Sequence, residues 1–156
     1  MAPSLRALAD DDLPEFIATT LAGYIDGRIG AGEAPEKARR IAQEQTAVLF
    51  PDGRPAPGQL VYRVIDDDGV AVGLLWIGPH GPDDPHHFWV WDVAIDENQR
   101  GRGLGRAAML LAEEAARHHG ATELGLNVFG PNTVARRLYE SLDYETTAIN
   151  MRKALG

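Results

Sequence analysis

The sequence predicts an α/β (α+β) fold with the element order βααβββαβαβ. Three observations carry that expectation. Four segments repeat apolar residues at helical spacing, and shorter runs between them read as β-strands. Gly-, Asp- and Pro-rich punctuation separates the two kinds of segment. The chain has 156 residues, 44% hydrophobic and 24% charged, enough for one domain with a buried core. No repeat, low-complexity tract or linker divides it, so residues 1–156 read as a single domain.

The elements follow in order. "SLRAL" (4–8) is a short strand. "DDDLPEFIATTLAGYIDGRIGAG" opens with cap-type aspartates and carries Pro14 in its first turn. Leu13, Phe16, Ile17, Leu21, Tyr24, Ile25 and Ile29 then recur at helical spacing before terminal glycines. "APEKARRIAQEQTAVLF" (34–50) is a second helix, and "PDGRPAPGQ" (51–59) a loop. "LVYRVID" and "VAVGLLWIG" are strands around the hairpin turn "DDDG". "HGPDDPHH" (80–87) reads as a loop and "FWVWDVAI" (88–95) as the next strand. Residues 103–119 form a helix with Leu104, Ala108, Leu111 and Ala115 on one stripe, ending at Gly120. "ELGLNVF" (123–129) is a strand, Asn132 caps a helix through about Leu142, and "YETTAINMRKAL" closes as a strand.

Composition excludes several functions. There are no cysteines, so no disulfide framework, thiolate zinc site or cysteine nucleophile exists. The first residues lack a basic region followed by an apolar run, and no apolar run reaches ~18 residues. The expected setting is cytoplasmic, away from membranes. Net charge is −8, which opposes general nucleic-acid binding. The charge is uneven. Residues 1–99 hold 7 Lys and Arg against 17 Asp and Glu, and residues 100–156 hold 8 against 6. That division fits a plain solubilising surface. It equally fits an acidic half that attracts a cationic substrate beside a basic half that holds an anion.

"NQRGRGLGR" (98–106) supplies the anion-binding candidate. The first amides of a helix lack intrahelical partners, and the helix dipole is positive there. Gly101, Gly103 and Gly105 let an anion approach the backbone, and Arg100, Arg102 and Arg106 add charge. Two other phosphate loops fail. There is no Gly-Lys pair for a P-loop. The third glycine of a dinucleotide-binding fingerprint is replaced by Arg106 or Ala108, which disfavours a nucleotide-dependent oxidoreductase.

Residues 100–105 fit [Q/R]-x-x-G-x-[G/A] after a strand ending "VAI", and "LNVFGPNTVARRLYESLDY" (126–144) resembles N-x-x-A-x-x-L-Y-x-x-x-G-[FY]. Together, over residues 88–144, these closely resemble the GNAT superfamily of N-acetyltransferases. The resemblance implies a strongly twisted, mixed, mostly antiparallel sheet flanked by helices, with acetyl-CoA as co-substrate. It implies that Val93, Ala94 and Ile95 meet the pantetheine arm through main chain between splayed strands 88–95 and 123–129. It also implies that Arg100, Gly101, Arg102, Gly103, Leu104, Gly105 and Arg106 hold the pyrophosphate, and that Asn132 and Tyr139 lie near the pantetheine and sulfur. One departure is Asp143, where the family has glycine before the final aromatic.

Acetyl transfer to an amine needs a polarised thioester carbonyl, a neutral amine and a proton donor for the leaving thiolate. Tyr139 lies two helical turns beyond Asn132 and suits the donor; spacing alone would also fit a core aromatic beside Leu138 and Leu142. Many family members carry Glu where Asn127 stands. An amide cannot act as a base, so Asn127 either holds a water, substrate or cofactor or simply bonds a neighbouring backbone. Asp92 is the one acidic side chain inside the central strand, either a base with a raised pKa or a structural carboxylate. "DDPHH" is not expected to bind metal, since adjacent histidines rarely face one ion.

The expected activity is N-acetylation of a primary amine, on a small molecule or peptide, in a ternary complex. The alternative is a non-catalytic acyl-CoA sensor or scaffold. The acceptor is expected between the first two helices and the 51–59 and 80–87 loops, faced by Asp26, Glu33, Glu36, Glu44 and Asp52. The acceptor's identity and the oligomeric state stay open, a homodimer among the options.

Overall fold

The computed structural model describes residues 2–156. Five strands form one open sheet in the order β1-β2-β3-β4-β5: β1 (Ser4–Ala7), β2 (Leu60–Ile65), β3 (Ala71–Gly81), β4 (Asp84–Ile95) and β5 (Glu123–Leu126). The first three pairings are antiparallel and β4·β5 is parallel. The helices are α1 (Leu13–Gly30), α2 (Pro35–Leu49), α3 (Leu104–His118) and α4 (Thr133–Ser141). None of them is long and apolar enough to cross a membrane.

The sheet separates two cores. On one face, Val64, Val72, Leu75, Ile77 and Val90 pack against Leu104, Ala108, Met109 and Ala112 of α3, with Tyr139 and Leu142 of α4 beside them. On the other, Val61 and Trp76 meet Leu13 and Phe16 of α1 and Leu49 and Phe50 at the end of α2. Each fully buried Leu or Ile here contributes about 1.5–3 kcal/mol. The alanine stripe of α3 lets that helix lie close on the sheet.

Three sequence expectations change. Residues 80–87 are not a loop: β3 and β4 continue through them, and Gly81 pairs with Asp84 around a two-residue turn at Pro82 and Asp83. The prolines sit near that tip, where a register shift between Pro79 and Gly81 relieves the ladder of their missing donors. Residues 144–155 carry no strand. They are exposed beyond Tyr144 and pair with no neighbour, so the final β of the expected order is absent here. β5 is also shorter than expected, ending at Leu126.

The departure at Asp143 is explained by its backbone. Asp143 has φ 70°, the left-handed conformation that glycine takes most easily, and closes α4 as its amide bonds Glu140 O. Aspartate tolerates this region better than most residues, at a small local cost.

Candidate functional site

The site begins with a mismatch in register. Trp76 faces Asp92 across the β3·β4 ladder, but the next residue, Ile77, faces Val90. Trp91 is therefore an extra residue, a bulge that bends β4. Its effect shows in β5, whose last pair with β4 is Leu126 opposite Val90. Beyond that point the two parallel strands part. Residues 127–129 lie outside the ladder, and among the described residues β4 from Asp92 to Ile95 pairs with β3 alone.

A cleft of about 450 Å³ opens from this fork, lined by Val90 to Ala94 and by Leu126 to Phe129. Asn132 and Tyr139 approach from α4, Thr19, Thr20, Gly23, Tyr24 and Gly27 from α1, and Gln45, Thr46 and Leu49 from α2. So Asp92, Val93, Ala94, Asn127, Asn132 and Tyr139, singled out from the sequence, come together. Ile95 and residues 100–106 do not line it and lie where β4 leads into α3.

Asp92 accepts a hydrogen bond from Thr20 Oγ1 at 3.2 Å. Burial pushes its carboxyl above the ordinary range, while the Thr20 hydroxyl and the Val93 amide draw it part of the way back. Burial also raises the Tyr139 phenol, and the Asp92 charge raises it further, so Tyr139 keeps its proton near neutral pH. One cleft thus holds a carboxylate that can accept a proton and a phenol that can give one. Asn132 spends its Oδ1 on capping α4, accepting from the Ala135 amide at 3.3 Å, and its amide nitrogen stays free for a ligand. Asn127 is exposed on the cleft wall.

The glycine loop has the geometry of an anion cradle. Gly101 and Gly103 take φ 80° and 76°, and Gly103 caps α3. Leu104 is only 7% exposed, so its side chain belongs to the core and only its backbone can meet a ligand. The three arginines are anchored. Arg100 Nε donates to Ile95 O, Arg106 Nη1 to Ser141 Oγ, and Arg102 to Gln99 and to Asp66 Oδ2. Asp66 is the buried carboxylate of the β2–β3 turn, 4% exposed, and accepts from the amides of Val70 and Asp68. A guanidinium has five donors, so these bonds aim each arginine and leave others to face an anion.

The acceptor side differs from the sequence expectation. Neither the 51–59 loop nor residues 80–87 line the cleft, and neither do Asp26, Glu33, Glu36, Glu44 or Asp52. Glu33 instead makes a two-bond ion pair with Arg28, at 2.6 and 2.7 Å, and Arg28 also donates to Tyr24 Oη. Among the described residues, Asp92 is the sole charged side chain lining the cleft. Sequence reasoning passed over the hydroxyls of Thr19, Thr20 and Thr46. A usable signal was present: Thr20, Gly23 and Gly27 recur at helical spacing and mark a face of α1 kept free of bulk. At Gly27 the reason is contact, since an added Cβ would lie 2.6 Å from the Phe129 ring.

Comparison with known proteins gives one consistent result. The sequence model of the Acetyltransferase (GNAT) family matches residues 15–144. The uncharacterized N-acetyltransferase YycN of Bacillus subtilis (strain 168) is 27% identical over 99% of this chain and 100% of its own length. Its crystal structure superposes with a TM-score of 0.86 over 99% of both chains. The L-2,4-diaminobutyric acid acetyltransferase of Streptomyces coelicolor is 43% identical over 50% of this chain and 46% of its own.

The buried carboxylate makes a prediction about stability. A carboxyl whose pKa is raised on folding costs stability once pH passes its unfolded value, and the cost persists above the folded value. Asp92→Asn should therefore raise Tm at neutral pH, with the gain fading below the ordinary aspartate pKa of about 3.9. Thermal melts across pH check this; a lower Tm for the variant at neutral pH would make Asp92 a structural carboxylate.

Proposed function

This chain belongs to the acetyltransferase (GNAT) family, and we propose that it acetylates a primary amine by direct attack within a ternary complex with acetyl-CoA. The observation that carries this reading is the pairing of Asp92 and Tyr139 across one cleft, at the point where two parallel strands separate. We take residues 1–156 as a single catalytic domain and place its work in the cytoplasm.

The fork fits a pantetheine arm. Residues 92–95 carry backbone donors and acceptors on an edge that no strand covers, and a secondary amide chain can pair with them as a strand would. Gly103 and the first amides of α3 offer the adjoining pyrophosphate site, supported by Arg100, Arg102 and Arg106. Acetyl-CoA supplies an activated acetyl group as a thioester. Backbone amides of β4 stabilise the negative charge that builds on its carbonyl oxygen. The ammonium sheds one proton to solvent before attack, and Asp92, directly or through one water, takes the second proton as the nitrogen bonds the acetyl carbon. Tyr139 gives its proton to the departing sulfur as the carbon–sulfur bond breaks, and the two side chains reset by exchange with solvent.

The cleft also speaks to the acceptor. Its polar lining is hydroxyl and amide, with Trp76 and Trp91 as apolar wall and no lysine or arginine to hold an anion. A second carboxylate near Asp92 would meet about 1–4 kcal/mol of repulsion at 4 Å. The acceptor class is thus an amine that arrives as a cation and carries no acidic group beside the nitrogen. A CoA-release screen over amines and amino acids tests both parts. Amines without a carboxylate should turn over with kcat/KM at least ~10-fold above the matching amino acids. Acetyl-CoA binding without CoA release on any amine would favour the sensor reading.

Two substitutions separate chemistry from binding. Tyr139→Phe should lower kcat by ~100-fold or more while leaving acetyl-CoA affinity close to wild type. An undiminished kcat on a good acceptor would reassign the ring to packing. Gly103→Val has open space for its Cβ but forces a β-branched residue to φ 76°. Reshaping the cradle should weaken acetyl-CoA binding ~10-fold or more, measured by calorimetry. Wild-type affinity in that variant would move the pyrophosphate site elsewhere.

A further inference from the structure

Tyr24 lines the cleft but takes no part in the proton transfers proposed above. Two neighbours fix its ring. Phe129 meets it with ring centres 6.2 Å apart, and the Arg28 guanidinium carbon lies 5.5 Å from its centre. Arg28 Nη1 also donates to Tyr24 Oη at 2.9 Å. Arg28 follows Tyr24 by one turn of α1 and does not itself line the cleft. Its Nε and Nη2 bond the two carboxylate oxygens of Glu33. The pair is mostly buried, with side chains 21% and 19% exposed. A fork matched to a carboxylate holds a guanidinium in one orientation. Glu33 therefore aims Arg28, and Arg28 aims Tyr24.

The direction of the last bond decides what Tyr24 can do. A phenol oxygen both accepts and donates, and here Arg28 supplies the bond it accepts. Its own proton has no acceptor among the described residues. A cationic donor on the oxygen polarises the O–H bond and strengthens it as a donor. The wall around it is of the same kind. Thr20 lies one turn earlier on α1, and Gln45 and Thr46 reach the cleft from α2. Gln45 and Thr46 are half-buried and bond no other side chain among the described residues. All these groups are neutral, and Glu33 offsets the charge of Arg28 behind them.

We infer that Tyr24 selects the acceptor: its hydroxyl donates to an uncharged oxygen on the body of the amine, so the acceptor is a primary amine bearing hydroxyl or amide groups and not a plain alkylamine. Arg28 and Glu33 are positioning residues for that hydroxyl. The inference rests on the acetyl-transfer reading and adds what the acceptor carries besides its nitrogen. An alkylamine in this cleft takes water from Tyr24 and returns no bond, and a donor left unpaired in that way is penalised. A carboxylate oxygen would also accept the proton, but Asp92 in the same cleft repels it.

CoA release from three matched series of rising chain length tests this: alkylamines, ω-amino alcohols and ω-amino amides. In wild type the best oxygen-bearing amine should exceed its alkyl match in kcat/KM by ~5-fold or more. That ratio should fall to near one in Tyr24→Phe and drop in Arg28→Lys, which keeps the charge and loses the fork. A ratio is unaffected by a general loss of activity, so a purely structural role would not move it. Preference for the alcohols or for the amides names the oxygen that is recognised. A wild-type ratio near one overturns the inference, as does a ratio that Tyr24→Phe leaves intact. Should Tyr24→Phe fail to fold, an intact ratio in Arg28→Lys overturns it. If no amine releases CoA, the acetyl-transfer reading fails instead, and calorimetry of the same amines on the CoA-bound protein decides this one. Tighter binding of the oxygen-bearing amines sustains it, and equal or absent binding overturns it.

Discussion

The extra residue in β4 is the constraint on which the site depends. Without the bulge at Trp91, β4 would stay in register with β3 and could run straight beside β5, and the parallel pairing would continue past Leu126. With it, the sheet opens into a fork at the level of Asp92, and a row of backbone groups on β4 is left for a ligand. The bulge is affordable because its flanks are secured: Leu75 and Ile77 are fully buried on one face, while Trp76 packs against Phe16, Phe50 and Trp91 on the other. Gly27 then brings α1 against Phe129, so the helix roofs the opening rather than closing it.

The same geometry sets the protonation states. Asp92 is drawn into a low-dielectric position by the strand that carries it, with the Thr20 hydroxyl offsetting part of the desolvation. That burial makes the carboxylate a better base than an exposed aspartate, and its charge helps keep the Tyr139 proton in place. The effect runs one way, from the Asp92 charge to the Tyr139 phenol, while Asp92 itself is set by burial, Thr20 and the Val93 amide. α4 contributes through its N-terminal cap and through Tyr139, whose ring meets Tyr144 at 6.1 Å, while Tyr144 in turn donates to Glu113 of α3. Tyr139 is thus tied to the helix that the glycine loop begins.

Much of this was legible in the residues. The first and third helices came from apolar spacing and the fourth from its Asn132 cap, and the turn of Gly101 and Gly103 into α3 came from glycines placed where positive φ is needed. Asn132 was readable as a cap and Tyr139 was singled out through the family motif it matches; spacing alone would have made Tyr139 a core aromatic, and the structure lines the cleft with both. The misses have physical reasons. A bulge has no local signature in "FWVWDVAI", since it is a property of two strands and not of one. Pro82 and Pro85 in residues 80–87 mimic a loop, yet a tight hairpin tip tolerates them. The carboxylates of α1 and α2 looked aimed at an acceptor because charge summed over a sequence has no direction; Glu33 spends its charge on Arg28.

The segment after Tyr144 is the most telling difference, because there local propensity and tertiary structure disagree. Its composition favours a strand, but a strand is stable only against a partner edge, and propensity says nothing about where that edge lies. β5 is the edge strand on that side of the sheet. It has four residues, pairs on one side only, and carries Leu126 on a bank shared by two openings.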